Sequence, residues 1–171
     1  MTPAQRLTVL MLSDLLDGLK IQTELNPRLI RKMIEQGHLW ALDWEMPFLR
    51  SHDDTHSVVN EVVEVIELYA LLEASFSALP KHDKDEIGRL AKPVFVGFCP
   101  ATEAQHHEVA RFLILDMGRF PAFHDRPLDA PKPTLQRART LLHKLQRLSG
   151  EPVASAKRLT AGELRELLIT G

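Results

Sequence analysis

The stretch that decides the fold runs from Val58 to Pro80 and reads VVNEVVEVIELYALLEASFSALP. Its large apolar residues recur every three or four positions, which places them on one side of a helix. They are Val58, Val62, Val65, Tyr69, Leu72, Phe76 and Leu79. Valine favours strands, yet the spacing is helical, and no Gly or Pro interrupts the run before Pro80. The sequence therefore predicts one helix of about 25 residues that begins near Ser51 or Asp54 and ends at Pro80.

This long helix needs partners. The burial of a single apolar side does not offset the conformational entropy that is lost when so many residues are ordered. The helix must therefore lie at the centre of other helices or pair with a second subunit.

The rest of the chain carries the start and stop signals of shorter helices. Capping residues and prolines predict starts at Thr2-Pro3 with Gln5, at Asn26-Pro27, at Thr102 with Gln105, and at Thr160 with Glu163. Glycines predict ends at Gly18, Gly37, Gly118 and Gly150. In the first helix, one side is predicted to carry Val9, Leu12, Leu16 and Leu19.

Four further segments complete the prediction. Leu39 to Met46 is expected to form a short helix, and residues 134–148 a longer one. Lys81 to Leu90 is predicted as a charged loop with at most one helical turn, and Val94 to Phe98 as a short extended run. The fold class that follows is all-α: a multihelical single domain, residues 1–171, packed around one long central helix.

Composition limits the function classes. The chain has 171 residues, of which 44% are hydrophobic and 26% charged, and a net charge of −2, as in an ordinary globular domain. Its single cysteine, Cys99, cannot form an internal disulfide, which is typical of a reducing compartment. No apolar run approaches the ~20 residues that a membrane span needs, and no basic leader stands out. We therefore expect a cytoplasmic protein with no membrane partner.

Several short segments are together similar to one bacterial family, the YfbU family. They occur in order along nearly the whole chain: Thr2–Leu7, Ile34–Gly37, Val62–Leu79, Phe95–Phe98, Ala101–Ala104, Val109–Phe112, Gly118–Phe120 and Leu159–Glu163. The resemblance implies an all-helical domain that tends to oligomerise and has no assigned chemistry. Some members carry the domain beside a helix-turn-helix, which implies a ligand-sensing role. The resemblance supplies no catalytic residues.

One predicted helix carries the candidate ligand-binding residues. Arg111 and Arg119 flank the end of the helix that starts near Glu103. Two guanidinium groups can hold an anionic ligand through paired hydrogen bonds. The alternative is that both arginines bind carboxylates of neighbouring helices and have a purely structural role.

Residues that could support catalysis are scattered. Glu35–His38 and Glu103–His106 have the Glu-x-x-His spacing of di-iron sites, and His52 and His56 are four apart, a spacing that can bind a divalent metal on a helix. Asp53 and Asp54 there are more typical of helix capping. Cys99 precedes a helix start and could act as a thiolate with His106 or His107 as its base. These patterns do not converge, and we expect neither a metal nor a cofactor.

Charge is segregated between two helices. From Ser51 to Leu79 there are six acidic residues and no Lys or Arg, whereas from Lys132 to Arg147 there are five basic residues and no acid. The basic residues Arg137, Arg139, Lys144 and Arg147 could contact nucleic acid. Packing of the basic helix against the acidic one explains the pattern more simply, so nucleic acid is not favoured as a partner.

The sequence as a whole predicts a homo-oligomeric regulatory or ligand-binding domain without catalysis, which self-associates and takes a small-molecule ligand. One alternative is a metal- or thiol-dependent enzyme that uses Glu103, His106, His107 or Cys99. The other is a nucleic-acid-associated regulator that acts through the basic helix 134–148.

Overall fold

The computed structural model describes residues 1–46 and 57–169. Within these ranges the chain forms α-helices and no strand, which confirms the all-α prediction. The helices are α1 (Pro3–Gly18), α2 (Pro27–Glu35), α3 (Trp40–Glu45), α4 (Ser57–Ala78), α5 (Lys81–Leu90), α6 (Ala104–Arg111), α7 (Leu135–Ser149) and α8 (Ala161–Ile169).

The chain divides into two compact units. The N-terminal unit is Met1–His56 and contains α1 to α3, and the C-terminal unit is Ser57–Gly171 and contains α4 to α8. A single domain over residues 1–171 stays a prediction.

The N-terminal unit begins with the predicted caps. The Gln5 N–H donates to Thr2 Oγ1 at 3.2 Å, and the Thr2 N–H donates to Gln5 Oε1 at 2.8 Å, so the capping box at the start of α1 is confirmed. Asn26 accepts from the Leu29 N–H at 3.1 Å and caps α2. On α1 the predicted stripe is divided, since Val9 and Leu16 are half-buried whereas Leu12 and Leu19 are exposed.

The long helix α4 is confirmed from Ser57 to Ala78, and its predicted start at Ser51 or Asp54 lies outside the described residues. It packs against α6, α7 and α8 within the C-terminal unit. Its fully or nearly buried side chains are Val59, Val62, Val65, Ile66, Leu68, Tyr69, Leu72 and Ser75. The apolar surface of α4 is therefore used inside its own unit. That α4 is central to the whole chain stays a prediction.

The charged segment from Lys81 to Leu90 is a ten-residue helix, α5, so its prediction as a loop is wrong. Pro80 precedes its first turn, where proline is tolerated, and Asp83 lies in that turn, where a carboxylate complements the helix dipole. Ile87 is completely buried, and Arg165 of α8 pairs with Glu86 at 2.6 Å. The charged residues around Ile87 leave no apolar stripe in the sequence, which is why the pattern indicated a loop.

Helix α6 starts at Ala104, one residue later than the predicted cap at Thr102 implies. Glu103 precedes the helix and does not cap it, and Thr102 and Gln105 form no box. The helix runs on into a π-helical turn, Phe112–Asp116, and the chain then leaves at Gly118, whose φ of +66° suits glycine. The ends of α7 at Gly150 and the capping box of α8, Thr160 with Glu163, follow the prediction.

Candidate functional site

The candidate site is built around the segment Val94–Phe98, which is not helical and precedes α6 in the chain. The Phe98 N–H donates to the Leu128 carbonyl at 3.2 Å, and the Ala130 N–H donates to the Phe98 carbonyl at 3.1 Å. Gly97 makes this close approach feasible, because its φ is +83° and a Cβ there would lie 1.7 Å from the Leu128 carbonyl oxygen. The segment thereby fixes the position from which α6 begins.

Glu103 is a buried carboxylate that accepts hydrogen bonds from three backbone N–H groups in two separate parts of the chain. It accepts from the Cys99 N–H at 2.9 Å, from the Thr134 N–H at 2.9 Å and from the Leu135 N–H at 2.7 Å. Only 8% of its surface is exposed. The last two donors belong to the start of α7, whose first N–H groups have no partner within the helix and whose dipole favours a negative charge. Glu103 therefore fixes the start of α7 to the turn that precedes α6.

Glu61 of α4 is the centre of a second cluster. Both of its oxygens face Arg139 of α7, at 2.6 and 2.9 Å, and His106 of α6 lies 2.7 Å from Glu61 Oε2. The hydrogen bonds from Arg139, and less strongly from His106, lower the pKa of Glu61 from 4.5 to about 2, although partial burial raises it. The cluster connects three helices, and it confirms for this pair that basic α7 packs against acidic α4.

The neighbouring histidine belongs to a third cluster. His107 Nε2 lies 2.5 Å from Asp129 Oδ1, and a guanidinium nitrogen of Arg111 lies 3.7 Å from the same oxygen. The hydrogen bond from His107 lowers the pKa of Asp129, and the charge of Arg111 adds to this effect. Consecutive histidines at 106 and 107 are thus bound by carboxylates from different parts of the fold.

Cys99 is buried and forms no disulfide. Its thiol accepts a hydrogen bond from the Thr102 side chain and further ones from the backbone at Ala101 and Thr102, and these lower the pKa of Cys99. The histidines that a thiol mechanism would use as a base have their Nε2 atoms bonded to Glu61 and Asp129. The thiol-enzyme hypothesis stays a prediction.

The structure places the three predicted ligand-binding residues differently. Glu103 precedes the first residue of α6 and Arg111 is the last, about 12 Å further along the axis. The Arg111 side chain is 46% exposed, and Arg119 is exposed after the glycine that ends the helix. Arg119 is fixed by its N–H, which donates to the Leu113 carbonyl at 2.9 Å. The carboxylate and the Arg111 guanidinium therefore lie at opposite ends of α6.

The predicted metal patterns are also separated. His52 and His56 lie outside the described residues. Glu35 is the last residue of α2 and pairs with Arg31 at 2.7 Å. Gly37, with a φ of +79°, lies between the end of this helix and His38, so Glu35 and His38 do not share a helix. Over residues 1–46 and 57–169, one group of three potential ligands brings its atoms within 4.8 Å of one another, namely His82, Asp83 and Glu86 at the start of α5. The i, i+4 spacing of its histidine and glutamate was a signal that the sequence reading missed.

A cavity of about 280 Å³, which no sequence pattern predicts, lies between α4, α7 and the turn at Val153–Ser155. Its polar lining includes three acidic residues, Glu64, Glu67 and Glu151, and its apolar lining includes Leu142 and Val153. Burial raises the pKa of Glu67, and the nearby charge of Glu64 adds to that rise. A periodic sequence pattern cannot predict this cavity, because its lining residues are up to 90 positions apart in the chain.

Comparison with known protein families matches residues 1–168 of the chain to the YfbU domain. The match extends into both compact units and includes every candidate site residue named above. Among the helices of the described residues, none combines the length and apolar character that crossing a bilayer requires.

Proposed function

The chain belongs to the YfbU family, and from that premise we propose a non-catalytic domain that self-associates and binds a small anionic ligand in a regulatory role. One observation carries the proposal. The side chains best suited to acid–base chemistry are bonded to the chain's own donors: Glu103 to three backbone N–H groups, and Glu61 to Arg139 and His106. Glu103 and Glu61 connect different parts of the fold, which is a structural role and not a catalytic one.

Arg111 is the group that best fits the ligand. Its guanidinium is about half exposed, and its contact with Asp129 is long, at 3.7 Å. The fork of guanidinium N–H donors can therefore hydrogen-bond an anion at a small cost in free energy. Arg119 lies eight residues further along the chain, directly after Gly118, and supplies the second positive charge. Glu103 does not contact the ligand in this proposal. It positions Arg111, because it fixes the start of the helix that ends in Arg111.

The experiment compares thermal unfolding in phosphate with unfolding in chloride of equal ionic strength. We expect phosphate to raise the Tm of the wild-type protein, because a ligand that binds only the folded state stabilises it. Arg111→Gln should reduce this shift to the general stabilisation that phosphate, as an excluded salt, gives a folded protein, and Arg111→Lys should weaken it, because lysine lacks the fork of donors.

The matched control is Arg147→Gln, which removes an arginine from the last turn of α7. It should leave the phosphate shift unchanged. A wild-type protein that unfolds at the same temperature in both salts, or an Arg111→Gln variant that keeps the full shift, would contradict the anion site.

A further inference from the structure

We propose that two copies of the chain pair in antiparallel fashion through an exposed apolar face of α1. The α1 face consists of five large side chains, each between 52% and 64% exposed: Leu7, Met11, Leu12, Leu15 and Leu19. The inference rests on the self-association in the proposed function and identifies the surface responsible for it.

The five side chains form one continuous surface. At 100° per residue they fall within an arc of about 140° around the helix axis. The same arc contains Ala4, Thr8 and Gly18, and none of the three charged residues of α1 lies in it. A surface helix normally turns such an arc towards the protein core.

The charged side of α1 faces α2 instead. Arg31 of α2 pairs with Asp14, and Arg28 pairs with Asp17 at 2.9 Å. Arg6 of α1 donates hydrogen bonds to the carbonyls of Ile34 and Glu35 at the end of α2. The charges of α1 are therefore used in contacts with α2, whereas the five side chains of the α1 face remain exposed in the part of the chain that the structure describes.

The size of the α1 face suits an interface. Five side chains of this size and exposure present about 500 Å² of mainly apolar surface, which is close to the upper end for one patch on a monomer. A stable interface buries about 800 Å² on each partner. Met1, Ile21 and Leu25, exposed in the same unit, supply further apolar area near the ends of α1.

A second copy is the occupant that the pattern favours. Leu7, Met11, Leu15 and Leu19 are spaced evenly four residues apart, so the stripe has the same spacing when its direction is reversed. A two-fold axis then sets Leu7 opposite Leu19 and Met11 opposite Leu15, with i, i+4 ridges packed into grooves.

Other partners fit less well. An uncharged face offers nothing to a charged protein partner. A membrane-surface helix carries Lys and Arg on its polar side, where α1 has Asp14, Asp17 and one arginine. The long helix α4, predicted as a second route to pairing, has its buried side chains packed within the C-terminal unit, so α1 is the better interface.

The test is sedimentation equilibrium of the full chain at micromolar concentration. The wild-type protein should sediment with the mass of a dimer that dissociates on dilution. The double variant Met11→Lys/Leu15→Lys should be monomeric, with association weakened at least about tenfold, because it places two charges in the interface. Its far-UV circular dichroism should match that of the wild-type protein. The control Leu148→Lys, at a leucine of α7 that is 40% exposed, should stay dimeric.

Cross-linking tests the register without a charge in the interface. Chains with Met11→Cys mixed with chains carrying Leu15→Cys should form a mixed disulfide dimer, and Met11→Cys chains alone should not. Homotypic Met11→Cys dimers, or no mixed dimer, would overturn the antiparallel pairing.

The outcomes separate the inference from the proposed function. If the double-lysine variant stays dimeric, the α1 face is wrong while self-association stands. If the wild-type protein is monomeric throughout, both are wrong. Flotation of the wild-type protein with phosphatidylserine vesicles, lost in the double-lysine variant, would assign the α1 face to a membrane and overturn the pairing.

Discussion

Glu103 illustrates, at the scale of one residue, how a buried charge is kept by its donors. We expect Glu103→Gln to lower the free energy of unfolding by about 2–4 kcal/mol, because hydrogen bonds to a charged acceptor are lost and the amide N–H atoms face the backbone donors at the start of α7. Urea unfolding followed by circular dichroism measures the change. Glu108→Gln, at an exposed glutamate of α6, should change it by less than about 0.5 kcal/mol. Equal stabilities for the two variants would show that the carboxylate has no such role.

The role of Glu103 could not be predicted from its neighbours in the sequence. An acidic residue just before a helix is typical of a cap, and Arg111 at the end of the same helix made a ligand site a reasonable hypothesis. Two of its donors, Thr134 and Leu135, lie 31 and 32 residues away, beyond the reach of any local pattern. The same holds for Gly97. A glycine is required at this position because the fold places the backbone of Leu128 against it, and Leu128 is distant in the sequence.

At the scale of elements, local signals were sufficient where a helix is defined by its own ends. The boxes at Thr2 and Thr160 and the glycine after α7 could be predicted, since each involves residues within three or four positions. Helix α5 could not, because its sequence carries no apolar stripe and tertiary contacts stabilise it, among them the burial of Ile87 and the pair of Arg165 with Glu86. The exposed face of α1 was also missed, because the sequence does not say which side of an apolar helix meets its neighbour.

The junction of α4 with α7 makes a prediction about pH. Glu61 has a pKa of about 2 in the folded protein and an ordinary value of 4.5 when unfolded. The ion pair of Glu61 with Arg139, which we call the clamp, therefore stabilises the fold fully above pH 4.5. This contribution is lost as the pH falls from about 4.5 to about 2. The difference in unfolding free energy between wild type and Glu61→Gln should therefore be largest at pH 7 and shrink steadily below pH 4.5. A difference that is constant between pH 7 and pH 3 would contradict the clamp, and Glu108→Gln should show no such trend.

At the scale of the whole molecule, the two compact units should unfold separately, and the tryptophans allow this to be seen. Both tryptophans of the chain, Trp40 and Trp44, lie in the N-terminal unit, whereas far-UV circular dichroism is dominated by the larger C-terminal unit. The described part of the N-terminal unit buries only five apolar side chains: Met33, Ile34, Trp40, Ala41 and Met46. We therefore expect the fluorescence midpoint in urea to lie below the circular dichroism midpoint.

Pairing through the α1 face adds a dependence on concentration. Because a bound second copy stabilises only the unit that it contacts, the fluorescence midpoint should rise with protein concentration while the later circular dichroism transition stays fixed. In the Met11→Lys/Leu15→Lys variant the fluorescence midpoint should be low and independent of concentration. The variant Leu148→Lys changes a leucine of the C-terminal unit and serves as control, since it should keep the concentration dependence of the wild-type protein. Coincident transitions that move together with concentration would mean that the two units unfold as one body.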